Sequence, residues 1–184
     1  MSEEQPNFSI DVLKKAVKVR QLGEQDIDSL TPILEQWVRD PETSLVIDDE
    51  VADIQDKMRS SLAGANSDRQ YLVAEDENGL VTGVMGIANP SDDMKGFAQT
   101  DNPIEIVNAF VDIQAQNKGV GSELLNNVFS LTKALGATEI IVNSGPRYKD
   151  SAWAFYDKKF DGRLTILKDK YGPGLDAPVW SKVL

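Results

Sequence analysis

The stretch Phe110-Val-Asp-Ile-Gln-Ala-Gln-Asn-Lys-Gly119-Val-Gly121-Ser-Glu-Leu-Leu125 decides the fold. It reads as a strand that runs through a tight, glycine-containing turn directly into a helix. Upstream, Pro103 to Asp112 carries Ile104, Ile106, Val107, Phe110 and Val111, an apolar and largely β-branched run. Downstream, Val120, Leu124, Leu125, Val128, Leu131 and Leu135 recur at helical spacing, and Gly136 follows as a stop. A turn of this kind leaves the first N–H groups of a helix unpaired and pointing outward. With the helix dipole they form an anion site, most often for phosphate. Gly119 and Gly121 allow a ligand to approach the backbone, and Lys118 adds a positive charge.

The whole chain narrows the chemistry. Its 184 residues suit one domain with a sizeable core. There are no cysteines, which excludes a disulfide scaffold, a cysteine nucleophile and a zinc-thiolate site. There are no histidines, which removes Ser-His-Asp chemistry and most transition-metal sites, so no metal is expected. A net charge of −11 argues against nucleic acid as a partner and is compatible with attraction of a cationic substrate. No apolar run approaches a membrane span, so no membrane partner is expected. The acidic opening Met-Ser-Glu-Glu-Gln-Pro is unlike a targeting peptide, and the expected location is the cytoplasm.

Working outward from the central stretch, residues 1–13 read as a loosely docked tail and 14–184 as a single domain. Val17 to Leu22 alternates as a first strand. Asp26 to Arg39 is a helix with Asp26 placed to cap it, although Pro32 requires either a later start or a kink. Asp48 to Leu62 is a second helix with acidic residues at its start. Gln70 to Glu75 and Leu80 to Ala88 form a hairpin around Glu77-Asn-Gly79, and Gly83 and Gly86 suggest a bulge or a close approach. Pro90 to Asn102 is polar and long enough for a substrate-side lid, with Asp92 and Asp93 available to a cation. Thr138 to Asn143 is a strand, Asp150 or Ser151 starts a short helix to Lys159, and Arg163 to Lys168 and Pro178 to Leu184 are the last strands. Trp37, Trp153 and Trp180 read as core or cleft wall. The order is β-α-α-β-β-β-α-β-α-β-β, an α/β domain with helices packed on a mixed sheet.

The turn is not a P-loop, because no Gly-Lys-Ser/Thr closes it. It is a poor dinucleotide fingerprint, because Leu124 stands at the third glycine position. Gln116-x-x-Gly119-x-Gly121 after a strand instead resembles motif A of the GNAT superfamily of acetyl-CoA-dependent N-acetyltransferases. Ala152-Trp-Ala-Phe155-Tyr156-Asp-Lys-Lys-Phe160 resembles the same family's motif B, at the expected distance. The opening Val19-Arg-Gln-Leu with Asp26 entering a helix is similar too, and the element order fits over nearly the whole chain.

The resemblance implies a mostly antiparallel central sheet and an acetyl-CoA co-substrate. It implies that the backbone of Ala109, Phe110 and Val111 pairs with the pantetheine arm. Asn117, Lys118, Gly119, Val120, Gly121 and Ser122 would bind the pyrophosphate, with Gln116 shaping the loop. It implies direct attack of a primary amine, small or at a peptide N-terminus, on the acetyl carbon. Tyr156 stands at the family's acid position, and Glu105, eleven residues before Gln116, where some members carry a base. Other members carry the base on the fifth strand, where this chain has Asn143. Motif B lacks its glycine, since Lys159 precedes Phe160, and Lys149 stands where many members have Asn. Gly145-Pro-Arg-Tyr-Lys149 is a basic loop that could meet a CoA phosphate. A homodimer, a larger acyl donor seated near Gly83, Gly86 and Ala109, and a non-catalytic acyl-CoA-binding module are all compatible with the same residues.

Overall fold

A computed structural model describes residues 17–64 and 68–184. The proposed tail, 1–13, therefore lies outside the described residues. Seven strands form one sheet in the order β1-β2-β3-β4-β5-β7-β6. They are β1 (Lys18–Gln21), β2 (Gln70–Glu75), β3 (Val81–Ala88), β4 (Pro103–Val111), β5 (Glu139–Asn143), β6 (Arg163–Leu167) and β7 (Ala177–Val183). Only β4 and β5 pair in parallel; every other neighbour is antiparallel. The helices are α1 (Glu24–Trp37), α2 (Asp48–Leu62), α3 (Asp92–Lys95), α4 (Val120–Ala134) and α5 (Ala154–Lys159). The order expected from the sequence holds, with the four-residue α3 inserted between β3 and β4.

Each sheet face has its own core. On one side α1 and α2 bury Ile27, Leu30, Leu34 and Met58 against Val73, Val84 and Phe110. On the other, α4 buries Val120, Leu124, Leu125 and Val128 against Leu72, Ile140 and Trp180. Strand β5 is covered on both faces, which explains its unbroken apolar run Ile140-Ile-Val142. Truncating a fully buried side chain such as Leu124 to alanine costs roughly 2–5 kcal/mol. The α4 stripe ends earlier than its spacing suggests. Leu135 is largely exposed just past the helix end, and Thr132 takes the buried place instead.

Several local expectations are corrected. Helix α1 starts at Glu24 and carries Pro32 in its interior, so of the two expectations for this proline the later start is not taken. Asp26 is not the cap. It sits inside the first turn, accepts the Gly23 N–H at 2.7 Å and binds the Arg20 guanidinium through both oxygens at 2.6 and 2.8 Å. Arg20 holds the Asp26 carboxyl below the usual carboxylate range and also reaches Glu75 at 2.6 Å. The Arg20 guanidinium, held between Asp26 and Glu75, thus ties β1, β2 and α1 together. The segment 90–102 is not a free lid. Its start is fixed where Ser91 binds Glu105, its middle buries Met94, and its end donates Gln99 N–H and Thr100 N–H to the buried Glu139 at 2.7 and 2.9 Å. Buried carboxylates need donors, and the loop backbone supplies them.

Candidate active site

The cleft is made by strand β4. Its pairing with β5 runs only from Pro103↔Glu139 to Glu105↔Ile141 and then stops. On its other side β4 stays with β3, but Val84 faces Phe110 while Gly86 faces Val107. Two residues, Asn108 and Ala109, therefore stand opposite Met85, and the extra residue belongs to β4. The glycines in β3 pointed to the bulge but sit across from it. Asn108 adopts φ 49°, a left-handed conformation that asparagine tolerates better than most residues. Tyr71 steadies it: its hydroxyl donates to Asn108 Oδ1 at 3.1 Å, and its ring lies over Gly86, where a built Cβ would come within 2.5 Å of it. The space near Gly86 that a larger acyl group would need is filled by that ring. A kink of this kind turns β4 away from β5. The wedge between them opens into a cleft of about 1360 Å³.

The turn after β4 stands at one end of the cleft. Asp112 accepts the Gln114 N–H at 2.7 Å and starts a short 3₁₀ turn over Ile113–Ala115. Asn117 and Gly119 then take φ 58° and 91°, and α4 begins at Val120. No side chain caps α4. With no side chain capping α4, the N–H groups of its first turn point outward and are available to an anion. Glycine is required at 119 by its φ. At 121 a built Cβ would only touch the Phe155 ring at 3.6 Å, an ordinary contact, so packing does not demand glycine there. Gln116, Asn117, Gly119, Val120, Gly121 and Ser122 all line the cleft. Lys118 is exposed and is not part of the cleft wall. Ala109, Phe110 and Val111 line it as well, but the Val111 carbonyl already accepts the Trp37 indole N–H at 2.8 Å. The geometry fits a CoA-like ligand: free N–H groups for a diphosphate and a strand edge released from its neighbour.

Glu105 and Tyr156 face the same cleft. Glu105 is buried at the last β4–β5 pair, the apex of the wedge. Its Oε2 accepts the Ser91 N–H at 2.8 Å and the Ser91 hydroxyl at 3.0 Å, and its Oε1 accepts Asn143 Nδ2 at 3.1 Å. Asn143 in turn accepts the Tyr171 hydroxyl at 2.8 Å. The Tyr171 ring rests on Gly145, where a built Cβ would meet it at 3.1 Å. This network comes from four separate segments, and of its supporting members only Asn143 stood out in the sequence. The faint signals were a glutamate inside an apolar strand and a glycine beside Pro146.

Tyr156 lies on α5, after a π-helical turn over Lys149–Trp153 that no side chain caps. Its ring packs at 5.2 Å from Trp180, 5.4 Å from Phe155 and 5.8 Å from Phe160. Burial pushes its hydroxyl above the ordinary tyrosine range, so it is protonated at neutral pH. Among the described residues that hydroxyl has no hydrogen-bond partner. The turn after α5 dispenses with the glycine before Phe160, because the positive φ falls on Gly162 at 108°. Trp180 is core, Trp37 is cleft wall, and the Trp153 ring is approached by the cations of Lys149 and Arg163. Arg147 is turned to Glu50 of α2, with contacts of 3.0 and 3.1 Å, rather than left free for a phosphate. Asp93 is likewise paired, with Lys170, and Asp92 with Lys95.

Among the described residues no helix is long and apolar enough to cross a membrane. No curated protein matches the chain. Solved structures share its fold at low identity. A protein described as a GNAT-family acetyltransferase from Desulfovibrio desulfuricans superposes with a TM-score of 0.72 at 19% identity, covering 91% of this chain and 99% of that one. An aminoglycoside 6'-acetyltransferase type Ii gives 0.66 at 17%, covering 90% and 96%. A spermidine N-acetyltransferase chimera from Vibrio cholerae and hSSAT gives 0.67 at 12%, covering 91% and 95%. The acetyltransferase (GNAT) family profile matches residues 30–161, most of the described sheet and both motifs, and the chain belongs to that family.

Proposed function

We propose that this protein is an N-acetyltransferase that moves the acetyl group of acetyl-CoA to a primary amine by direct attack. The observation that carries this reading is the cleft itself: the wedge between β4 and β5 joins the uncapped start of α4 to a buried carboxylate and a protonated phenol. The N–H groups of 117–122 hold the diphosphate, and the released β4 edge at Ala109–Val111 aligns the pantetheine arm, with the Val111 carbonyl shared with Trp37. Lys118 contributes at most long-range charge. Holding amine and thioester together accounts for most of the rate.

Glu105 takes one proton from the bound ammonium. The freed amine then attacks the acetyl carbon and the carbon–sulfur bond breaks. Tyr156 gives its proton to the departing thiolate and recovers one from the new amide nitrogen. One proton per turnover remains on Glu105 and must leave. Acid and base together contribute on the order of 10²–10⁴-fold. The absence of cysteine and histidine from the chain favours direct transfer over an acetylated enzyme.

The test is release of CoA from acetyl-CoA across spermidine, an aminoglycoside, free amino acids and short peptides with free N-termini. Turnover with at least one amine is expected. Tight acetyl-CoA binding without CoA release on any of them would overturn the enzymatic reading in favour of a binding module.

A further inference from the structure

Glu105 stands between two cavities. Besides the main cleft it lines a second cavity of about 550 Å³, walled by Asp68, Arg69, Asn89, Asp92 and Lys95. Its two oxygens divide between different partners. Oε1 is held by Asn143, a residue of the main cleft, and Oε2 by Ser91, a residue of the second cavity. Glu105 is buried, whereas Ser91 is exposed. The Ser91 N–H also binds Oε2, at 2.8 Å, so the carboxylate keeps a donor there without the hydroxyl.

We propose that the second cavity is the proton exit of the active site, with the Ser91 hydroxyl as its relay. This rests on Glu105 as the base. Substrates filling the main cleft block the way back, because the amine whose proton was removed now stands over Oε1. The protonated carboxyl group turns so that the proton taken at Oε1 faces Ser91, and the hydroxyl swings its own hydrogen from the carboxylate toward the second cavity. The carboxyl proton then passes to Ser91 Oγ as the hydroxyl gives its hydrogen to water there. The hydroxyl then rotates back. One proton enters at the cleft and one leaves at the cavity, with no other bond changed. The polar, mixed-charge walls suit water, which needs several polar partners to be held.

The test is Ser91→Ala, which removes the hydroxyl and leaves the backbone donor. The acceptor is the fastest amine of the panel above, with the full chain and saturating acetyl-CoA. We expect kcat to fall about tenfold in dilute buffer, within the range of a single proton-transfer step. Added imidazole, small enough to enter the second cavity, should restore it, and Ser91→Thr should recover most of the loss. The KM for acetyl-CoA should stay as in the wild type. An unchanged kcat in Ser91→Ala would overturn the exit, as would a loss that imidazole does not relieve. Glu105→Gln separates the two levels. If it is inactive while Ser91→Ala is normal, the base stands and the exit falls. If Glu105→Gln is fully active, or no amine is acetylated by the wild type, both fall.

Discussion

The two halves of the cleft are built in opposite ways. The half at the start of α4 is made of backbone: free N–H groups, a glycine at φ 91° and a strand edge, all within one continuous stretch from Ala109 to Ser122. The half around Glu105 is made of side chains from β4, β5, the segment before α3 and the turn before β7, joined by Ser91, Asn143 and Tyr171. A backbone site needs only the right turn, so it is local, and under the proposed function it would serve any diphosphate. A side-chain site depends on the whole sheet bringing distant residues together, so under the same proposal it is the half that would tell one amine from another.

That contrast can be broken by substitution. The largest effect is expected for Gly119→Trp, which strains the αL turn and covers the free N–H groups. Losing two charge-assisted contacts at about 1.5–3 kcal/mol each should lower acetyl-CoA affinity by about 100-fold or more. Calorimetric titration would read it, and near-normal affinity would end the diphosphate assignment. Glu105→Gln should cut turnover by about 100-fold, while acetyl-CoA affinity changes little. A kcat like that of the wild type would remove Glu105 as the base. Tyr156→Phe should likewise lower kcat by about 10²-fold with the cofactor still bound. Because burial raises the Tyr156 pKa, the folded state holds that proton more tightly than the unfolded chain does. Its contribution to stability is complete below the ordinary tyrosine pKa and is lost as pH rises through the folded value. Denaturant midpoints at alkaline pH should therefore fall less steeply in Tyr156→Phe than in the wild type.

Smaller effects sharpen the comparison. Tyr171→Phe removes the donor that fixes Asn143 and should reduce kcat several-fold, on the order of one hydrogen bond or about 1 kcal/mol, without touching acetyl-CoA affinity. The smallest effect is expected for Arg147→Ala. Its guanidinium is engaged with Glu50, so acetyl-CoA affinity should change less than about twofold, as for other partly exposed pairs. A tenfold loss there would return the basic loop to the cofactor side.

The difference between the halves also explains what could be read from the chain. The strand, turn and helix around Gly119 are adjacent in sequence, so spacing and residue type reveal them. The Phe155-Tyr156 helix is equally local. Asn108 was passed over because a turn-forming residue in an apolar strand carries no label for a bulge. Gly86 signalled a close approach, and only the fold shows that the approaching group is Tyr71. The loop 90–102 looked like a lid because its composition is polar. It is anchored instead by Glu105 and Glu139, two carboxylates in neighbouring strands whose burial obliged nearby N–H groups to serve them. Ser91 and Tyr171 have no local signature at all. Their role depends on how β5, β7 and the connecting turns meet.

The most direct test of the account is a single-turnover mass balance: enzyme in excess of acetyl-CoA, mixed with the fastest amine of the panel and quenched at intervals, with the acetyl group followed by mass spectrometry. Direct transfer in the β4–β5 cleft predicts that the acetyl group appears on the amine nitrogen as CoA appears, one for one, with none on the protein at any time. An acetylated side chain that forms and decays before the product appears would contradict it.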